Sequence, residues 1–226
     1  MKPPHLRPDL RSDPRPDESA GPVTPFGLMR HAPTEWNRDK RLQGQRDSPL
    51  LPESETLARN WGRRLRSMGW ERILASDLGR ARRTAELVNG TLNLPLEVDA
   101  RLREIDWGRW TGLRLDDLAV VAPERFSSLD SEGWAFRPPG GEDRLEAWRR
   151  SSEALRDAGN RWPGRRILVV THFGVIKCLI YRLTRRRFVP DEPTLLRPAH
   201  LHRIRCRAGR LDVEAVNAVS LNGDSP

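Results

Sequence analysis

Residues 166–172, RILVVTH, constrain the fold more than any other stretch of this 226-residue chain. Ile167, Leu168, Val169 and Val170 show no apolar/polar alternation, so the segment reads as a strand buried on both faces, as in the middle of a parallel sheet. Parallel strands need long crossovers, and the chain offers them. Thr24–Met29 and Arg72–Ala75 read as further short strands, with Leu94–Val98 and Arg101–Ile105 as extended pieces. Between them, Leu57, Trp61, Leu65 and Met68 recur at three- and four-residue spacing, which predicts an amphipathic helix over 54–68. A second helix is expected to run to about Asn89, with Ser76 or Asp77 as its N-cap, and a third over 142–161 with Leu145, Trp148 and Leu155 on one face. Residues 174–183 are apolar nearly all round and predict a core helix. The alternation is that of an α/β fold. Residues 199–207 and 211–217, joined at Ala208-Gly209-Arg210, predict a C-terminal hairpin, and 113–141, ending in FRPPGGED, a helical and loop insertion over a site.

The length suits one domain, placed at 23–220, with the insertion as a cap. The first 22 residues hold prolines and charges of both signs where a secretory signal needs an apolar core, so they read as a disordered tail, as do 221–226. No apolar run approaches the roughly 18–20 residues of a membrane span. Two cysteines, Cys178 and Cys206, have neither disulfide-framework nor zinc-knuckle spacing, and the expected compartment is the cytoplasm. A net charge of +9 and 37 arginines call for an anionic partner. The arginines are dispersed in small groups without interleaved stacking aromatics, so a dedicated nucleic-acid surface is not expected. A homodimer is left open. His5, His200 and His202 read as structural: no cysteine or acid stands at ligand spacing from the His200-x-His202 pair, and no metal is expected.

The chemistry gathers at strand ends. Arg30-His31 and Thr171-His172 each lie just beyond an apolar strand, and in open α/β sheets ligands bind outside those carboxyl ends, so histidines about 140 residues apart can converge. Ser76-Asp77-Leu78-Gly79-Arg80 also follows a strand and opens a helix, which suits an anion at the same edge. Glu104, in LREIDWG, adds a carboxylic acid. Two histidines, two arginines and one acid around a crevice point to phosphoryl transfer. A nucleophilic imidazole must be neutral, and neighbouring guanidinium groups disfavour imidazolium while matching phosphoryl oxygens.

LMRHAPTEWNRDKRLQGQRDSPL, ASDLGRARRTAE, LREIDWGRWTG, PPGGED and VVTHFGVIK follow the order and spacing of the histidine phosphatase superfamily, the phosphoglycerate mutase-like proteins, which the chain resembles over about residues 24–217. The resemblance implies a three-layer αβα sandwich with a mostly parallel central sheet. It implies His31 as the nucleophile that forms a phosphohistidine, Arg30 and Arg80 as clamps on the phosphoryl oxygens, and His172 as the second pocket histidine. Glu104 would protonate the leaving alcohol and then deprotonate water, and Asn37, Gln43 and Gly44 would line the substrate. No cofactor or metal is required.

Two positions depart from the family pattern: Ala32 stands where glycine usually follows the nucleophile, and Phe173 where glycine often follows the distal histidine. Both are expected to shrink or reshape the site. Trp107 and Trp110 either pack the loop after Glu104 or form an apolar wall for the leaving group. EIDWGRWTGL and HFGVIK resemble the phosphatase branch rather than the cofactor-dependent mutases. The expected partner is therefore a small phosphorylated metabolite, of sugar phosphate or α-ribazole phosphate type, that is hydrolysed. The alternatives are phosphoglycerate mutase activity and a non-catalytic binder of phosphorylated ligands.

Overall fold

The computed structural model describes residues 21–124, 131–189 and 191–223. Most of the two expected tails and part of the insertion lie outside them. β4 (Ile167–Thr171) is buried at all five positions. β1 (Thr24–Arg30) and β2 (Arg72–Ala75) flank it in parallel, and β3 (Leu96–Val98) extends the sheet beyond β2. On the other side of β1 lie β5 (His200–Arg207) and β6 (Arg210–Ser220), both antiparallel to their neighbours, which gives the order β3-β2-β4-β1-β5-β6. The hairpin turns through Ala208 (φ 47°) and Gly209 (φ 73°), two consecutive left-handed residues that match the twist of the strands they join.

Alternate residues of the central strands serve opposite layers. Phe26, Leu28, Ile167 and Val169 pack with α5 (Arg144–Arg161) and α6 (Phe173–Leu183). Met29, Leu168 and Val170 pack with α2 (Pro52–Leu65) and α3 (Gly79–Leu92). The result is the expected αβα sandwich. A third, smaller apolar cluster joins Trp110 to Leu118 of α4 (Leu115–Val121) and to Phe136, within the expected insertion. A four-residue helical turn, α1 (Glu35–Arg38), follows β1. No described helix is long and apolar enough to cross a membrane.

Local departures from the sequence reading have simple causes. α2 begins at Pro52 rather than Ser54, because proline is preorganised for the first helical turn and lacks the N–H that would go unpaired there. The piece at 101–105 is not extended: Ala100–Leu102 is a 3₁₀ turn capped by the Asp99 carboxylate. Neither Ser76 nor Asp77 caps α3. Its N-cap is Leu78, and the Asp47 carboxylate, brought from the loop after β1, accepts the Gly79 and Arg80 N–H groups at 2.7 and 3.2 Å.

Gly27 lies in the middle of β1 under the indole of Trp70, and a Cβ there would sit 2.7 Å from Trp70 Cζ2 and 3.2 Å from Leu201 Cδ1. Gly27→Ala is therefore expected to destabilise the fold by about 1–3 kcal/mol through overpacking. Gly90→Ala, at an exposed position of α3 with nothing within 4 Å, is expected to stabilise by about 0.5–1 kcal/mol. Thermal and denaturant unfolding of the two variants check both signs.

Candidate active site

The site is a consequence of strand register. Parallel pairing sets Arg30 of β1 opposite Thr171 of β4, so His31 and His172 leave the sheet side by side, and the His31 N–H extends the ladder to Thr171 O at 2.9 Å. Ala75 pairs with Val170, and Ser76 leaves the third strand end with its N–H on Val170 O at 2.9 Å. The layers add the crevice. The chain after β1 goes to the α2/α3 face and that after β4 to the α5/α6 face, which opens a gap where the two strands part. The imidazole centroids of His31 and His172 are 5.2 Å apart, tilted by 58°.

His31 is buried, and its hydrogen bonds define its tautomer. Nδ1 lies 2.8 Å from the Ala32 carbonyl, which can only accept, so Nδ1 carries the proton. Nε2 is then a lone pair, and it accepts from Arg80 Nε–H at 3.3 Å. Burial first, and then the Arg30 and Arg80 guanidinium charges, hold the imidazole well below its ordinary value of 6.5. Arg80 is itself buried and held rigidly, donating through Nη2 to Gly44 O at 2.7 Å and through Nη1 to Arg46 O at 2.7 Å and Asp47 Oδ1 at 3.1 Å.

His172 is fully buried. Its Nε2 is 2.9 Å from Ser76 Oγ, and that hydroxyl also accepts the Leu78 N–H at 3.3 Å. With the Leu78 N–H on one lone pair the hydroxyl can turn its hydrogen to Nε2, and in that arrangement the imidazole proton sits on Nδ1, a buried atom with no protein partner among the described residues. Burial first, and then the neighbouring His31 and the Arg80 and Arg30 guanidinium groups, depress this imidazole too. Arg30 Nε and Gln43 Oε1 are likewise buried without partners, so this end of the molecule holds unused polar capacity. The Arg30 guanidinium stands over the Phe173 ring at 5.9 Å.

Glu104 sits on the opposite wall, its carboxylate accepting Ile105 N–H at 2.9 Å and Gly174 N–H, from the first turn of α6, at 3.2 Å. A Cβ on Gly174 would overlap Glu104 Oε1. Asn37 uses its side-chain oxygen in the capping box of α1, accepting Thr34 N–H at 3.1 Å, which leaves its amide nitrogen for the cleft. Arg30, His31, Asn37, Gln43, Gly44, Arg80 and Glu104 all line one cavity of about 360 Å³. His172 lies against His31 behind that lining.

The two departures from the family pattern separate here. Ala32 does not take a positive φ, and its methyl group is fully buried in the α2/α3 layer, with its N–H on Thr84 Oγ1 at 3.0 Å. The expectation that this methyl narrows the site is therefore corrected: it faces the core. Phe173 does form a wall of the cleft. Trp107 lines the cavity as well, whereas Trp110 is buried behind it, stacked at 6.4 Å. His200 and His202 are committed elsewhere, with Nδ1 atoms bonded to Pro198 O at 2.7 Å and to Asn217 N–H at 3.1 Å. Among the described residues no group of three or more histidine, cysteine or acidic side chains is placed to hold a metal.

Sequence reasoning missed the supports. Asp47 anchors Arg80, Ser76 is hydrogen-bonded to His172 Nε2, and Glu142 with Arg150 grips the segment carrying Glu104. The signal was present for three of them, because Asp47, Ser76 and Glu142 lie inside the quoted blocks. Nothing in the spacing of Arg150 distinguished it from a solvated helix face.

Comparison with known proteins agrees with this geometry. The family model of the histidine phosphatase superfamily (branch 1) matches residues 26–219. "Probable phosphoglycerate mutase GpmB" of Salmonella paratyphi B is 37% identical over 153 residues, covering 68% of this chain and 71% of the relative. The structure of Bacillus stearothermophilus YhfR superposes with a TM-score of 0.79 at 30% identity, over 88% of this chain and all of that one. A mycobacterial glucosyl-3-phosphoglycerate phosphatase complexed with VO3 superposes with a TM-score of 0.75 at 27% identity, over 87% of this chain and all of that one. The chain belongs to branch 1 of the histidine phosphatase superfamily and is an enzyme of that phosphatase class.

Proposed function

We propose that the protein is a phosphomonoesterase that hydrolyses a small phosphorylated metabolite through a phosphohistidine at His31. The observation that carries this reading is the hydrogen bonding of His31: Nδ1–H on the Ala32 carbonyl and an Nε2 lone pair between Arg80 and the cleft. In the first step Nε2 attacks phosphorus, the ester P–O bond breaks, and Glu104 gives its proton to the leaving oxygen. Phosphorylation makes the imidazole cationic, and the Ala32 carbonyl, already bonded to Nδ1–H, stabilises that charge. In the second step Glu104 takes a proton from water, oxygen attacks phosphorus, and the P–N electron pair returns to Nε2.

Arg30 and Arg80 hold the phosphoryl oxygens, and His172 Nδ1–H supplies a neutral donor to one of them. Asn37, Gln43 and Gly44 line the same end. Leu115 from the 113–141 segment joins Trp107, Phe173 and Phe188 in the apolar part of the cavity, which supports reading that segment as a cap on a single domain at 23–220 and as the place where the leaving group is selected. The buried Ala32 methyl removes one of the two supports for a non-catalytic binder.

The name of the Salmonella relative favours a second reading, phosphoglycerate mutase. A phosphomonoester panel that includes sugar phosphates and α-ribazole phosphate, with 2- and 3-phosphoglycerate interconversion as control, decides between them. Release of inorganic phosphate well above mutase turnover is expected; mutase turnover exceeding hydrolysis would overturn the assignment.

The pH dependence follows from the two depressed histidines. His31 stays neutral until well below 6.5, so the acid limb of kcat/KM assigned to the free enzyme is expected well below that value. Unfolding returns both imidazoles to ordinary values, so the unfolded chain binds more protons below about pH 6.5. The stability present above that pH is then lost as pH falls, at up to about 1.4 kcal/mol per pH unit for each histidine until the folded-state pKa is reached. Denaturant unfolding between pH 7.5 and 5, compared with His172→Gln, checks the slope and its sign.

A further inference from the structure

The side chain of Arg150 lies outside the cleft lining, yet all five of its N–H groups are spent around the segment that carries Glu104. Nη1 donates to Arg101 O at 2.8 Å and Arg103 O at 2.6 Å, and Nη2 to Glu104 O at 3.1 Å. The remaining donors, Nε and the second Nη2 hydrogen, form a fork on the Glu142 carboxylate, with Nε to Oε2 at 3.0 Å. Glu142 Oε1 in turn accepts the Asp106 N–H at 3.0 Å. One ion pair thus fixes carbonyls before and at Glu104 and an N–H two residues after it. Both partners are largely buried, with side-chain exposures of 20% and 15%.

The segment is also tied by Gln45 Nε2, which donates to the same Glu104 carbonyl at 3.4 Å, and by the Arg103–Asp77 ion pair, both through groups other than the Glu104 carboxylate. The Glu104 carboxylate's two hydrogen bonds among the described residues go to backbone N–H groups, one of them from its own neighbour Ile105, and the Arg30 and Arg80 guanidinium groups act on it through charge. The position of its oxygens is therefore set by where the 103–106 backbone lies against the first turn of α6. A proton donor must stand within hydrogen-bond reach of the leaving oxygen, and small displacements of such a group are costly.

We propose that the Glu142–Arg150 pair is the positioning device of the general acid: it sets the Glu104 carboxylate against the leaving oxygen and touches neither the phosphoryl group nor substrate. This rests on Glu104 being the proton donor, as read above. It assigns to the GGED block a role in proton delivery, exerted across the loop from α5. Arginine is required at position 150 because the arrangement uses five donors in a planar fork, where lysine has three on a single nitrogen.

The two roles a residue here can have, general support of the fold and placement of the acid, differ in leaving-group dependence. An aryl phosphate with an acidic phenol, such as 2,4-dinitrophenyl phosphate, departs without protonation; an alkyl phosphate such as glycerol 3-phosphate does not. The experiment measures kcat/KM, which reports the P–O cleavage step, for both substrates with wild type, Glu104→Gln, Arg150→Lys and Glu142→Gln, each checked for a cooperative unfolding transition. Glu104→Gln is expected to lose about 100-fold or more on the alkyl ester and little on the aryl ester. Arg150→Lys and Glu142→Gln are expected to show the same signature at roughly 10- to 100-fold. Glu142→Gln keeps an oxygen for Asp106 N–H and carries the test should Arg150→Lys not fold. Equal losses on both esters, or none on either, in the two pair variants while Glu104→Gln discriminates would overturn the proposal. No discrimination in Glu104→Gln would remove the acid itself, and the proposal with it.

Discussion

The active site depends on the parallel pairing of β1 with β4. Arg30 opposite Thr171 is a backbone register, yet it decides which side chains meet, because the next residue on each strand is a histidine. A shift by one residue would turn one of the two rings to the other face of the sheet. The register is held by the core rather than by the site: Phe26, Leu28, Ile167 and Val169 commit to one layer and Met29, Leu168 and Val170 to the other. The candidate site is thus built on the most deeply buried part of the molecule.

That placement brings an electrostatic demand. Arg30 and Arg80 beside two buried imidazoles would be unfavourable if the histidines were charged, and the surroundings keep both neutral. His31 is given its tautomer by the Ala32 carbonyl, which can only accept, and His172 shares a hydrogen bond with the Ser76 hydroxyl, itself an acceptor for the Leu78 N–H. His31 thus carries a lone pair on Nε2, and with the Ser76 hydrogen on its Nε2 His172 offers an N–H at Nδ1. Arg80 is held in place by two carbonyls and Asp47, which leaves its second Nη2 hydrogen, and the Nε–H beside His31, for an anion.

Much of this was legible in the sequence. The unalternated ILVV run, the helical spacing of Leu57, Trp61 and Leu65, and the hairpin signal at Ala208-Gly209 are local patterns, and local patterns survive into the fold. His31, His172 and Arg80 were recognisable because each sits at the end of a strand or the start of a helix, and Glu104 because of the LREIDWG motif around it. What was not legible depends on partners distant in the chain. Asp47 caps a helix that begins 32 residues later, and Arg150 grips carbonyls 46 to 49 residues earlier. Ala32 illustrates the reverse error: sequence position next to the nucleophile suggested a place in the pocket, but the peptide turns its methyl into the α2/α3 core. Adjacency along the chain is a poor guide to adjacency in a site where successive side chains of an extended segment point to opposite sides.

The central claim is that His31 attacks through Nε2 because the Ala32 carbonyl holds the proton on Nδ1. Rapid mixing with a phosphomonoester that the enzyme turns over, alkaline quench to preserve the acid-labile adduct, and 31P NMR with peptide mapping test it directly. The account predicts phosphate on Nε2 of His31, formed and lost at rates compatible with turnover and absent in His31→Ala. Phosphate on Nδ1 of His31, on another residue, or retained in His31→Ala would contradict it.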